Sequence, residues 1–136
     1  MLKIDISKAY DMVEWKFLKG ILELFGFSLQ FVNWIMACVT TSKFSVLINV
    51  CLEGYFSSSR GLRQGDPISP YLFTLVMEVL SKLLRQIRHS DEYLYHPKCA
   101  KIILSHLMFD DDVIIFSKAD LGSLMKIKEA LNVFHG

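Results

Sequence analysis

The sequence predicts an α+β fold, an antiparallel sheet with helices packed on one face. Strand-like runs come in pairs joined by short turns, at residues 43–49 with 53–56 and 102–109 with 113–116. Between them lie longer stretches whose apolar residues recur at the helical period. The resulting order is strand, two helices, hairpin, long helix, hairpin, helix.

Residues 1–5 read as the end of a short strand. Residues 13–25 place Phe17, Leu18, Ile21, Leu22 and Phe25 on one helical face, and Gly26 fits the C′ position that closes a helix. Ser28 is a candidate cap for a second helix carrying Phe31, Val32, Ile35 and Val39. In residues 43–49, Phe44, Val46 and Ile48 alternate with Lys43, Ser45 and Asn49, the strand period, and residues 53–56 are the expected hairpin partner. Residues 57–67 are loop. Ser69 as N-cap and Pro70 at the first helical position then open a long helix with Leu72, Val76, Val79, Leu80, Leu83 and Ile87 inward. Residues 91–99 are polar and turn-like. After the second hairpin, Asp120 can cap a last helix with Leu124, Ile127, Leu131 and Phe134 inward.

Composition narrows the function classes. With 136 residues, 52% hydrophobic and 21% charged, the chain reads as one folded domain rather than a disordered segment. Its longest apolar runs, near 72–76 and 113–116, are too short to span a bilayer. No secretory signal is readable, and the three cysteines (Cys38, Cys51, Cys99) are odd in number and form no C-x-x-C pair. An intracellular, reducing setting is the expectation. Fifteen basic against 14 acidic residues leave a net charge of +1, which argues against a stand-alone nucleic-acid binder. Other parts of a larger protein would have to do the gripping.

Three elements carry chemistry. Asp110, Asp111 and Asp112 lie between two apolar strands. Unit charges about 4 Å apart repel by roughly 4 kcal/mol at an effective dielectric of 20. A turn needs one such residue, not three, so a hard divalent cation such as Mg²⁺ would account for the excess; a solvated acidic turn is the plainer reading. Asp5 also ends a strand. If that strand lies beside the acidic hairpin, the carboxylates converge where two ions about 3.5–4 Å apart could clamp an in-line phosphoryl displacement. Alone, Asp5 reads better as a helix cap or Asx turn than as a metal ligand. The third element, Arg60-Gly-Leu-Arg-Gln-Gly-Asp-Pro-Ile-Ser-Pro70, combines glycines that permit close backbone approach with Arg60 and Arg63 for phosphate and Gln64 as donor and acceptor. By composition it is also an ordinary connector.

Together and in this order, Lys3-Ile-Asp-Ile-Ser-Lys-Ala-Tyr-Asp11, the Arg60–Pro70 stretch and Phe109-Asp-Asp-Asp112 resemble the palm motifs of reverse transcriptases. The wording is closest to non-LTR (LINE-type) retrotransposons of plants, an impression strengthened by His96-Pro-Lys-Cys99 and His106-Leu-Met-Phe109. The resemblance implies a polymerase palm-like sheet, incomplete in residues 1–136, without fingers and thumb. It implies Asp5 and Asp111 as metal-holding aspartates with Asp112 in support, and Tyr10 as the aromatic gate against a sugar 2′-hydroxyl. Arg63, Gln64 and Gly65 would contact the nucleotide. Two Mg²⁺ ions (or Mn²⁺), an RNA template, a DNA primer and a deoxynucleoside triphosphate are the implied cofactors and partners.

Two positions depart from the family pattern. A small residue usually stands where Asp110 does. Val50 replaces the glycine of an Asn-Gly hairpin turn, and because valine resists φ > 0 a different turn is expected there. Two other function classes stay open: a non-catalytic remnant of a decayed element, and a two-metal nuclease or phosphatase, which leaves Tyr10 and the Arg60–Pro70 stretch unexplained. A zinc cluster of His96, Cys99 and His106 lacks a fourth ligand and a common spacing. Trp15 and Trp34 read as core or interface residues, and Arg85, Arg88 and His89 as a solvated helix end.

Overall fold

A computed structural model of the chain describes residues 1–88, 90 and 93–135. The expectations at His89, Asp91 and Glu92 lie outside the described residues. The backbone divides into two units, residues 1–7 with 77–136 and residues 8–76.

In the first unit, β1 (Leu2–Asp5), β5 (Asp112–Ile115) and β4 (His106–Phe109) form an antiparallel sheet in the order β1-β5-β4. Cross-strand partners share a face, so Ile4, Val113 and Met108 form one row and Leu2, Ile115 and His106 the next. Val113 and Ile115 are completely buried. Ser81, on α4 (Ser69–Ile87), brings its Oγ to 2.9 Å from Nε2 of His106, which places that helix on this inner face. The opposite face carries Lys3, Asp5, Asp112, Ile114, Leu107 and Phe109 and is largely open. A helix on one face and the other left open is the arrangement expected.

Residues 93–95 run beside 116–118: the Tyr93 hydroxyl donates to the Phe116 carbonyl at 2.9 Å and Lys118 N–H to the Leu94 carbonyl at 2.8 Å. Burial pushes the Tyr93 phenol up to about 12. Asp120 caps α5 (Leu121–His135) by accepting from the Ser123 backbone N–H at 3.0 Å, as expected. The completely buried Ser123 hydroxyl donates to Asp120 and accepts from Leu94 N–H, so the cap also anchors a loop.

Three expectations in this unit are corrected. The strand proposed for 102–109 shortens to β4, because residues Ala100–Ile102 form a 3₁₀ turn and Ile103 adopts φ +53. On α5, Leu124 is 45% exposed while Ser123, Ile127 and Ala130 are buried. On α4, Val79, Leu83 and Ile87 are only half-buried, and the buried stripe is Leu72, Phe73, Val76, Met77, Leu80, Ser81 and Leu84. Both helices are rotated from the apolar-only reading because a serine with satisfied hydrogen bonds belongs to the buried face.

In the second unit, the helix expected over 13–25 is α2 (Trp15–Leu24), and a separate single turn, α1 (Ala9–Met12), precedes it, parted from it at Val13, whose ψ of 114° is extended. Leu18, Ile21 and Leu22 are buried. Gly26, at φ +81, ends α2 as expected: its N–H bonds the Glu23 carbonyl and that of Phe27 the Leu22 carbonyl, leaving two carbonyls satisfied. Ser28 caps α3 (Leu29–Thr40) through the Phe31 N–H at 3.3 Å; Val32 and Ile35 are buried, and α3 packs on α2.

β2 (Lys43–Ile48) and β3 (Cys51–Ser57) form the expected hairpin. Contrary to expectation, Val50 does not impose a different turn. Asn49 and Val50 take φ +48 and +66 in a two-residue connection closed by the pairing of Ile48 with Cys51. The strained valine is 90% exposed, where its side chain meets nothing. At the start of α4 the cap also shifts. Leu72 N–H bonds the Ile68 carbonyl, making Ile68 the N-cap, with Ser69 and Pro70 the first two helical residues. The Asp66 carboxylate accepts from Ile68 N–H at 3.3 Å, an Asx turn that leads into the helix.

Candidate active site

The acidic group belongs to the first unit. Pairing of β1 with β5 sets Asp5 directly across from Asp112, on the open face of the sheet. Cβ atoms of such pairs lie about 4.5–5.5 Å apart. Asp110 and Asp111 make the two-residue connection from β4 to β5, and the Asp111 carbonyl accepts the Ile6 N–H at 3.1 Å, tying the turn to the end of β1. Asp110 is exposed with φ +51, a conformation that aspartate tolerates better than most residues. That gives its presence a backbone reason independent of any ligand.

Lys3 was not singled out by the sequence. Its Nζ lies 2.8 Å from Asp112 Oδ2, and its pKa is raised by that hydrogen bond and charge first, then by Asp5 and Asp111. One ammonium therefore senses three carboxylates. The signal was legible in principle: Lys3 and Asp5, two apart on a strand, share a face. The donor chemistry of Asp5, Asp111 and Asp112, hard oxygens around a region that already attracts a cation, suits a divalent ion. Among the described residues, however, no three His, Cys, Asp or Glu side chains are gathered closely enough to hold one. Both ring nitrogens of His106 lie 2.9 Å from serine hydroxyls, Ser81 and Ser105.

Tyr10, Arg63, Gln64 and Gly65 belong to the second unit. The Tyr10 ring stacks on Phe73 at a centroid distance of 4.4 Å, so its orientation is fixed by a buried neighbour. Arg63, Gln64 and Gly65 are exposed on the loop before α4, with Gly65 at φ +89. Arg63 and Gln64 line a cavity of about 680 Å³ together with Lys8, Asp11, Trp15 and Arg60. Leu62, between the exposed positions, is 3% exposed and pins the loop. Trp34 is 60% exposed, not core, whereas Trp15 is half-buried.

A short antiparallel sheet whose first strand ends in an aspartate opposite an acidic turn, with helices on the other face, is the layout of a polymerase palm segment. Residues 1–135 match the family model described as reverse transcriptase (RNA-dependent DNA polymerase). The chain is 33% identical over 133 residues, 98% of its length, to a transposon TX1 uncharacterized 149 kDa protein of Xenopus laevis, of which this is 10%. It is 29% identical over 131 residues to a retrovirus-related Pol polyprotein from the type-1 retrotransposable element R2 of Nasonia vitripennis, covering 94% of the chain and 12% of that protein. An uncharacterized mitochondrial protein of Arabidopsis thaliana is 44% identical over 75 residues, 48% of the chain and 55% of that protein. The chain belongs to the reverse transcriptase family, on the non-LTR, LINE-type side read from its motifs. It spans about a tenth of the length of the two retroelement proteins. Among the described residues no helix is long and apolar enough to cross a membrane.

Proposed function

We propose that this chain is the palm segment of an RNA-directed DNA polymerase, which joins a deoxynucleoside triphosphate to a primer 3′-hydroxyl copied against an RNA template. The observation that supports it most is the register of β1 on β5, which sets Asp5 opposite Asp112 beside the Asp111 turn. In this reading Asp5 and Asp111 would hold divalent metal, with Asp112, paired to Lys3, in support. Bound there, magnesium or manganese would lower the pKa of the attacking hydroxyl and offset charge on departing pyrophosphate. Tyr10, held by Phe73, excludes the 2′-oxygen of a ribonucleotide. Gln64 and Gly65 contact the base pair being formed, and Arg63 a phosphate. An intracellular location accompanies this reading.

The near-neutral charge and the small share of the two retroelement proteins covered support a further expectation, that the segment alone turns over little or not at all. The Lys3–Asp112 ion pair favours a second reading, a non-catalytic remnant in which a lysine substitutes for metal. Primer extension on an RNA template, with Mg²⁺ and four deoxynucleotides, separates them when paired with Mn²⁺ binding. Metal bound by the wild-type chain and lost in Asp5→Asn supports the polymerase palm even without turnover. Synthesis abolished by Asp111→Asn removes the remnant reading, and absence of both metal binding and synthesis removes the polymerase reading.

A further inference from the structure

The loop bearing Arg63 and Gln64 is held to the stretch bearing Tyr10 at four points, all inside the second unit. Gly61 N–H donates to the Val13 carbonyl and Leu62 N–H to the Tyr10 carbonyl, both at 2.8 Å. The Trp15 indole N–H donates to the Gly61 carbonyl, also at 2.8 Å. Finally, Gly61 packs so closely that a Cβ there would sit 3.0 Å from the Asp11 carbonyl oxygen and 3.1 Å from its Cα. Three of these contacts are backbone and carry no residue choice beyond glycine. The indole is the one side-chain donor among them, reaching across 46 residues from a half-buried site at the first position of α2.

We propose that Trp15 is a positioning residue for the nucleotide-contacting loop: its N–H locks the Gly61 peptide and so sets Arg63 and Gln64 relative to Tyr10. This rests on the polymerase reading for its consequence, though not for its geometry. An isosteric ring without an N–H at position 15 fills the same space but donates nothing, so the carbonyl of Gly61 loses its partner while packing is kept; phenylalanine removes the donor and part of the ring volume as well. The loop then opens more often, by about fivefold, the weight of one hydrogen bond net of water.

The test compares wild-type chain with Trp15→Phe and with a chain carrying benzothienylalanine at position 15, an isostere that replaces the N–H with sulfur. Three readouts are followed: trypsin cleavage after Arg60 and Arg63, exchange of the Gly61 and Leu62 amides, and retention of a fluorescent deoxyguanosine triphosphate with Mg²⁺. In wild type the Trp15 indole proton should exchange at least tenfold more slowly than that of Trp34, which is 60% exposed. Expected in both variants are faster cleavage and exchange confined to this loop, with weaker retention of the nucleotide and unchanged cleavage after Lys126 and Lys128. Unchanged loop exchange and cleavage in the isostere, or a Trp15 indole as labile as that of Trp34, overturns the lock. A loosened loop with undiminished nucleotide retention overturns the positioning role. Failure of wild type to retain nucleotide counts against the polymerase reading, and the lock is then judged on the loop readouts.

Discussion

Gly61→Ala should be among the most damaging single methyl additions in this chain, and the structure says by how much. Gly61 adopts φ +93, where an L side chain costs about 1–2 kcal/mol in the backbone alone. Gly65, at φ +89, bears the same cost, with nothing within 4 Å of the Cβ it would gain. At Gly61 the new methyl meets the Asp11 main chain at 3.0–3.3 Å, and a main chain cannot swing aside as a flexible side chain can. Relieving the overlap means moving the loop off the Tyr10–Val13 stretch. That stretches three hydrogen bonds at 2.8 Å, each worth about 1 kcal/mol. The expected losses are about 3–5 kcal/mol for Gly61→Ala and about 1–2 kcal/mol for Gly65→Ala, each offset by about 0.4–1 kcal/mol for the stiffer unfolded chain. Urea denaturation followed by circular dichroism reads the difference as a lower midpoint at constant slope. On a thermal scale the gap is roughly 6–12 °C at about 3–4 °C per kcal/mol. If the two variants unfold within about 0.5 kcal/mol of each other, the close approach at Gly61 carries no energy and the argument fails.

Further outcomes follow from the same geometry. Val50→Gly should raise stability by up to about 1 kcal/mol, since φ +66 is strained for valine and free for glycine; thermal melting checks it, and a loss would mean the turn differs. Leu80→Ala, at a fully buried site, should cost about 2–5 kcal/mol in urea denaturation, whereas Leu124→Ala on exposed surface should cost well under 1 kcal/mol. Burial, then the Arg85 charge, lowers the pKa of His106 from 6.5, with Arg88 adding to the effect and Glu78 opposing it. A depressed histidine leaves the folded chain binding fewer protons than the unfolded one. Stability is therefore full above about pH 6.5 and declines as the pH falls below it. His106→Gln should flatten that slope between pH 7 and 5; an unchanged slope would show that other groups cause it.

Much of the plan was legible in residue order. The helical period gave α2 and α3 their buried leucine, valine and isoleucine positions, Gly26 and Ser28 marked the boundary between them, and the Asp120 cap lay where a side-chain acceptor must precede a helix. These are local choices, made among neighbours in sequence. The Val50 turn was misjudged for a local reason as well: steric preference was weighed without the pairing of Ile48 with Cys51 that outlasts it.

What the sequence by itself determined, then, is most of the helices and both hairpins, the placement of Asp5 at a strand end, and an acidic turn at Asp110–Asp111 that runs into β5 at Asp112. Tertiary structure alone decided which carboxylate meets which, since register is a long-range pairing: Asp112 rather than Asp111 stands across from Asp5, with Lys3 drawn to it. It also decided which face each helix buries, because Ser81 and Ser123 enter the interior only once partners on other segments accept and donate their hydrogen bonds. And it turned Trp15 from a generic aromatic into a donor, which requires a carbonyl 46 residues away to arrive within 2.8 Å.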